Sequence, residues 1–210
     1  MTKHVLLAED QQIVRQGLKM MIEESGEFHV AVEAANGIEA VEGVSSHIDV
    51  AVLDIRMPLM TGLEACKKLA TAYPNLPILM LTTFDDDAYA LEALESGAKG
   101  FMLKDADATK LITAMKKALE GGITIDEGIA GRIIPELMKQ KRPKQIDVPL
   151  TKREKEIIEL VGEGKTNQEI ASHLFLSIGT VKNHITVILD KLELRDRTQL
   201  AIFAIRHYLV

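Results

Sequence analysis

Five times in the first 120 residues, a short apolar run is followed by a stretch with helical spacing, and this alternation constrains the fold more than any other feature of the chain. The runs are VLLAED, VAVEAAN, VAVLD, ILMLT and GFMLK. The stretches between and after them cover residues 12 to 24, 38 to 44, 63 to 72, 87 to 95 and 108 to 120, each with apolar positions three and four apart. Runs such as VAVLD and ILMLT have no polar alternate, so both faces of those strands must be covered. Parallel strands joined by crossover helices satisfy that condition. The expectation is a doubly wound α/β domain of five parallel strands, whose functional groups gather at the C-terminal ends of the strands.

The alternation stops after residue 125. The stretch KQKRPKQIDVP combines charge with two prolines that cannot continue a helix, and residues 123 to 147 read as a linker. Before those prolines, IAGRIIPELMKQ has the pattern of a short helix that Pro135 would interrupt or cap. From Leu150 onward the pattern is helical throughout. Thr151 with Glu154, and Thr166 with Glu169, have capping-box spacing ahead of apolar faces. A third helix is expected from Ser177, turning Val181, Ile185, Ile188, Leu189 and Leu192 inward, and a fourth over residues 198 to 208. Two units follow, an α/β domain over 1 to 122 and a small all-α domain over 148 to 210.

Charge divides along the same line. The chain carries −6 overall, but residues 1 to 125 hold 11 Lys and Arg against 19 Asp and Glu, while residues 150 to 210 hold 9 against 8. An acidic half repels phosphate backbones, so contact with nucleic acid is expected of the C-terminal half. No apolar run reaches the ~20 residues of a membrane span, and the N-terminus meets Glu9 and Asp10 before it could become a signal peptide, so a cytoplasmic protein without membrane contact is expected. Cys66 is the only cysteine, which removes internal disulfides, and it has no ligand partner at zinc spacing.

Glu9 and Asp10 close the first strand and Asp54 closes the third, so a parallel sheet brings three carboxylates to one edge. Like charges so close call for a hard divalent cation with oxygen ligands, and Mg²⁺ suits few carboxylates together with phosphate oxygens. Asp54 is then a candidate nucleophile toward phosphorus, provided positive charge neutralises the oxygens. Lys104, ending the fifth strand, and Thr82, ending the fourth, would supply an ammonium and a hydroxyl.

In the C-terminal unit, a short helix from Thr166 and a tight connection into a second near Ser177 have helix-turn-helix spacing. The second helix of such a motif enters the major groove. With Val181, Ile185 and Ile188 inward, Thr180, Lys182, Asn183 and Thr186 face outward, with side chains suited to base edges or phosphate. Lys165, Thr166 and Asn167 stand at the preceding helix start, where backbone N–H groups favour anions. His184 has no Cys or His at ligand spacing and reads as a packing or phosphate-contacting residue.

AED at 8 to 10, LDIRMPLMTG at 53 to 62, LTT at 81 to 83 and GFMLKD at 100 to 105 together resemble the receiver domain of bacterial response regulators over about residues 1 to 122. LTKREKEII, GKTNQEIA and GTVKNHI resemble the LuxR-type helix-turn-helix of the NarL/FixJ subgroup. The resemblance implies a flavodoxin-like receiver whose Asp54 accepts phosphate from a sensor histidine kinase. It implies Mg²⁺ held by Glu9, Asp10, Asp54 and the backbone carbonyl of Arg56, and a switch pair formed by Thr82 and Phe101. It further implies a homodimer on double-stranded promoter DNA after phosphorylation, with the last helix contributing to the dimer. Asp105 stands where many receivers have proline, although this Lys-Asp pair is frequent in the DNA-binding subgroup.

Two other classes compete with this reading. A haloacid-dehalogenase-like phosphatase would also use an aspartate nucleophile, but it needs a second Asp two residues on, and that position is Arg56. A non-enzymatic protein whose C-terminal helices bind a partner protein or RNA is compatible with the near-neutral charge of residues 150 to 210.

Overall fold

The computed structural model describes residues 2–82, 87–126, 129–131 and 148–207. The N-terminal unit is built from β1 (Lys3–Ala8), α1 (Gln12–Glu24), β2 (Phe28–Ala34), α2 (Gly37–Gly43), β3 (Val50–Asp54), α3 (Gly62–Ala72), β4 (Ile78–Thr82), α4 (Asp87–Glu95), β5 (Gly100–Leu103), α5 (Ala108–Leu119) and β6 (Thr124–Ile125). The strands lie in the order β2-β1-β3-β4-β5-β6, all parallel. β3 and β4 are buried at every residue, as their continuous apolar runs require. Side chains from alternate strand positions feed two cores. Leu6, Leu53, Met80 and Phe101 pack on the side of α2, α3 and α4, and Val5, Val52, Leu79 and Met102 on the side of α1 and α5.

The sheet has six strands where five were expected. Thr124 and Ile125 pair with Gly100 and Phe101 and so draw two residues of the segment read as linker into the sheet. A two-residue strand carries no periodic signal. Of the helix expected around Pro135, residues 129 to 131 are helical, and the rest lies outside the described residues.

The C-terminal unit is α6 (Lys152–Gly162), α7 (Asn167–Leu174), α8 (Ile178–Lys191) and α9 (Arg197–Arg206). Thr151 with Glu154 and Thr166 with Glu169 both form full capping boxes, and Ser177 and Asp196 cap the next two helices. Ile157, Ile158, Ile170, Val181, Ile188 and Leu200 form the buried centre of this unit. The two units touch through α9, which lies against α4 and the turn before β5.

Candidate functional site: an acidic pocket and a helix-turn-helix

β1 and β3 are neighbours in register, with Ala8 opposite Leu53, so the next residues along them, Glu9 after β1 and Asp54 at the end of β3, meet at one edge. Glu9, Asp10 and Asp54 each present a carboxylate oxygen there, and these oxygens lie within 4.8 Å of one another. Glu9 is fully buried, Asp54 nearly so, and Asp10 is exposed at the mouth. Lys104, carried in by β5, sets its Nζ 2.8 Å from Glu9 Oε2 and 2.9 Å from Asp54 Oδ1. Thr82 is fully buried at the end of β4, and its carbonyl accepts from the Lys104 N–H.

Burial pushes the pKa of both inner carboxyls up. For Glu9 the nearby Asp54 charge adds to the effect, while Lys104 and the Gln11 N–H oppose it. For Asp54 the opposing groups are Lys104 and the backbone N–H groups of Arg56 and Ile55. Burial also works against the charge on Lys104, but the two carboxylates outweigh it and hold its pKa above the ordinary lysine value. The pocket therefore keeps a cation strongly, at the cost of two carboxylates taken out of water. Three oxygen donors around a small gap, one of them open to solvent, fit a hard divalent ion such as Mg²⁺.

The loop behind Asp54 is pinned by its backbone. The Gly62 N–H donates to the Ile55 carbonyl, and the Met60 carbonyl accepts from the Gly37 N–H. A Cβ on Gly62 would collide with the Asp54 carbonyl oxygen, so only glycine permits this return of the chain. Thr61 then caps α3 in a box with Glu64. Nothing local in LDIRMPLMTG marks Gly62, because the atom that forbids its Cβ, the Asp54 carbonyl oxygen, is brought there by the return of the chain.

Phe101 is fully buried in β5, in the same apolar cluster as Leu94, Ala98 and Ile202. The sheet thus links the ends of β4 and β5, where Thr82 and Lys104 stand, to the face that receives α9. Cys66 is buried in α3, and burial pushes its thiol up to about 12, so it is inert as a nucleophile.

In the helix-turn-helix, α7 ends at Phe175, in the left-handed region with φ 56°, and Ser177 starts α8. Lys182, Asn183 and Thr186 are exposed along α8, and Thr180 is half-buried with its hydroxyl 2.8 Å from Ser177 Oγ. The Thr186 hydroxyl donates to the Lys182 carbonyl. Lys165 is half-exposed and Asn167 starts α7, whereas Thr166 is buried and its hydroxyl is taken up by the cap. His184 is half-buried and is not part of the metal-capable group found among the described residues.

Arg197 was missed by sequence reasoning. It is buried, donates to Asn167 Oδ1 and to the Lys165 carbonyl, and burial lowers its pKa to about 10. It ties the first turn of α9 to the start of α7 and leaves the Asn167 amide nitrogen facing away from the guanidinium. An arginine one residue after a capping Asp carries no local sign of such burial.

A family model for the response regulator receiver domain matches residues 5–116, and one for bacterial regulatory proteins of the luxR family matches residues 148–204. This chain is a response regulator with a LuxR-type DNA-binding domain. Transcriptional regulatory protein LiaR of Bacillus subtilis (strain 168) is 39% identical, with 98% of each chain covered. LnrK of the same organism is 38% identical over 97% of this chain and 96% of its own. Among solved structures, the response regulator ChrA of a heme-sensing two-component system matches with TM-score 0.56 and 33% identity, covering 100% of this chain and 99% of its own. The relatives named here are transcriptional regulators or a response regulator, and no helix among the described residues is long and apolar enough to cross a membrane.

Proposed function

We propose that Asp54 of this response regulator takes a phosphoryl group from a sensor histidine kinase, and that the modified receiver permits dimerisation and binding of the helix-turn-helix to promoter DNA. The observation that carries the reading is the Lys104 ammonium between two buried carboxylates, one of them beside a solvent-facing third. That is the charge arrangement a carboxylate nucleophile needs against an incoming dianion.

In the transfer, an Asp54 carboxylate oxygen attacks phosphorus and the bond from phosphorus to the kinase's imidazole nitrogen breaks. The electron pair leaves with that nitrogen, which then takes up a proton. Lys104 neutralises an oxygen of the bound phosphoryl group, and the Thr82 hydroxyl donates to another. Glu9, Asp10, Asp54 and the Arg56 carbonyl would hold Mg²⁺, which supplies charge neutralisation for the phosphoryl oxygens. As the Thr82 hydroxyl turns to the phosphate, Phe101 shifts into the space it leaves, changing the face formed by α4 and β5. On DNA, Lys182, Asn183, Thr180 and Thr186 meet the major groove, and Lys165, Thr166 and Asn167 meet phosphate, Thr166 through its backbone.

The position of Arg56, where a haloacid-dehalogenase-like phosphatase has its general acid, supports reading the chain as a regulator without metabolic turnover. Phosphoryl transfer from a kinase core and binding to the chromosome both belong in the cytoplasm. The test is incubation with acetyl phosphate and Mg²⁺, followed by phosphate-affinity electrophoresis and size exclusion. Wild type gives a Mg²⁺-dependent shifted band and a larger species, and Asp54→Ala gives neither. A band that persists in Asp54→Ala would refute the assignment of the nucleophile.

A further inference from the structure

The strands begin at the edge of the sheet opposite the acidic pocket, and two histidines meet there. His4 of β1 pairs with His29 of β2, and the register is regular from Lys3 to Val5. Paired residues of adjacent parallel strands point to the same face, so the two imidazoles are neighbours by virtue of the backbone. Their ring centroids lie 6.2 Å apart with the planes at 76°. Val5 and Val30, the next residues along each strand, are buried, while the His4 and His29 side chains are 47% and 57% exposed. A rigid base therefore holds two rings side by side and open to solvent.

Each ring has a carboxylate behind it. His29 Nδ1 lies 2.9 Å from Glu23 Oε1 of α1, and the same oxygen accepts from the Val30 N–H at 3.1 Å. His4 Nδ1 lies 3.9 Å from Asp49 Oδ2, and that oxygen accepts from the His4 N–H at 2.8 Å. The other Asp49 oxygen holds Lys3 Nζ at 2.8 Å, which neutralises that lysine. A carboxylate at Nδ1 keeps the proton of a neutral imidazole on that nitrogen and leaves the lone pair on Nε2. Both histidines thus have the support that metal-ligating imidazoles use, an outer carboxylate that fixes tautomer and ring orientation. Two imidazoles bonded at about 2.1 Å to one ion have centroids roughly 5–6.5 Å apart, so the spacing here calls only for small rotations of exposed side chains.

We infer that His4 and His29 form a site for a borderline divalent transition ion of the Zn²⁺ class, bound through the two Nε2 atoms with water completing its coordination. Imidazole suits such ions, whereas Mg²⁺ prefers oxygen and fits the acidic pocket instead. The ion clips β2, an edge strand of the sheet, to β1. β1 has six residues, so the site lies about 20 Å from the carboxylates beyond its other end and is independent of the chemistry there.

The test is calorimetric titration of the full chain with ZnCl₂ in excess Mg²⁺, which competes for the acidic pocket. Wild type is compared with His4→Gln, His29→Gln, Glu23→Gln and His47→Gln, His47 being an exposed imidazole in the loop before β3. Imidazole ¹H–¹⁵N spectra and amide exchange are recorded with and without Zn²⁺, and size exclusion reports the number of chains. One Zn²⁺ should bind per chain without a change in oligomeric state, shifting the Nε2 resonances of His4 and His29 and slowing exchange at residues 28 to 30. Glu23→Gln keeps the acceptor for the Val30 N–H but loses the charge, and it should weaken binding about tenfold, with a larger loss in His4→Gln and His29→Gln. His47→Gln should bind as wild type does. Wild-type affinity in His4→Gln or His29→Gln would overturn the site, as would an equal loss in His47→Gln or the absence of binding in wild type. One Zn²⁺ per two chains, with a larger species, would overturn the clip by placing the ion between copies. Labelling of His4→Gln by acetyl phosphate stays at the wild-type level, so failure of the metal site leaves the reading of Asp54 standing.

Discussion

Replacing Lys104 with alanine removes the only described cation at ion-pair distance from both Glu9 and Asp54, at 2.8 and 2.9 Å. Both carboxylates are buried, so the variant must either keep two uncompensated charges or take up protons. Removing one partner of a buried ion pair costs about 3–5 kcal/mol when the remaining charge stays ionised. Protonation offers an escape whose cost depends on pH, changing by about 1.36 kcal/mol for each pH unit and each proton. A shift from pH 7 to pH 5 therefore recovers about 2.7 kcal/mol if one proton is taken up, leaving a deficit of roughly 0.3–2.3 kcal/mol. The direction follows from the carboxyl pKa values, which burial already raises in wild type and which rise further without the lysine. A group with a raised folded-state pKa contributes stability at acid pH that is lost as pH climbs through that value, so the deficit grows from pH 5 to pH 8. Urea unfolding by far-UV circular dichroism at constant ionic strength, with and without Mg²⁺, measures it. The transition that Mg²⁺ shifts belongs to the receiver, and added Mg²⁺ should recover part of the loss by replacing the missing positive charge. A deficit below about 1 kcal/mol at pH 7, or one that does not change between pH 5 and 8, would refute the reasoning.

Gly62→Ala places a Cβ against the Asp54 carbonyl, so the receiver should lose about 1–3 kcal/mol and acetyl-phosphate labelling should slow about 100-fold through a displaced nucleophile; labelling at the wild-type rate would show that the loop tolerates the shift. Phe175 is 95% exposed with φ 56°, so Phe175→Gly relieves left-handed strain without uncovering apolar surface and should leave thermal stability unchanged or raise it by up to about 1 kcal/mol, as scanning calorimetry would report. Lys182→Ala should weaken duplex binding and flatten the slope of log affinity against log salt by about 0.9 if the lysine meets phosphate, whereas an unchanged slope with altered base preference would assign it to a base edge.

The strand pattern was legible because covered parallel strands need continuous apolar runs, and VAVLD and ILMLT cannot be read otherwise. Helix starts were legible for a similarly local reason. Asp107, Thr151, Thr166 and Ser177 cap their helices through bonds to N–H groups two or three residues on. β6 escaped because two residues have no period, and it forms only because the edge of β5 is there to be paired. The carboxylate cluster was legible through the rule that parallel strands end on one side, which turns positions 9, 10 and 54 into neighbours.

What the sequence determined by itself, then, is whatever short-range chemistry dictates: strand runs, caps, the turn into α8, and the set of groups at the strand ends. Only the tertiary structure decided that Arg197 is buried and holds Asn167, that Gly62 must lack a Cβ, and that Glu95, Ala98 and Lys99 grip a helix about 100 residues further along the chain. The physical reason is that these contacts join groups whose separation along the chain carries no periodicity, and whose energy depends on burial and geometry that exist only once two layers have packed together.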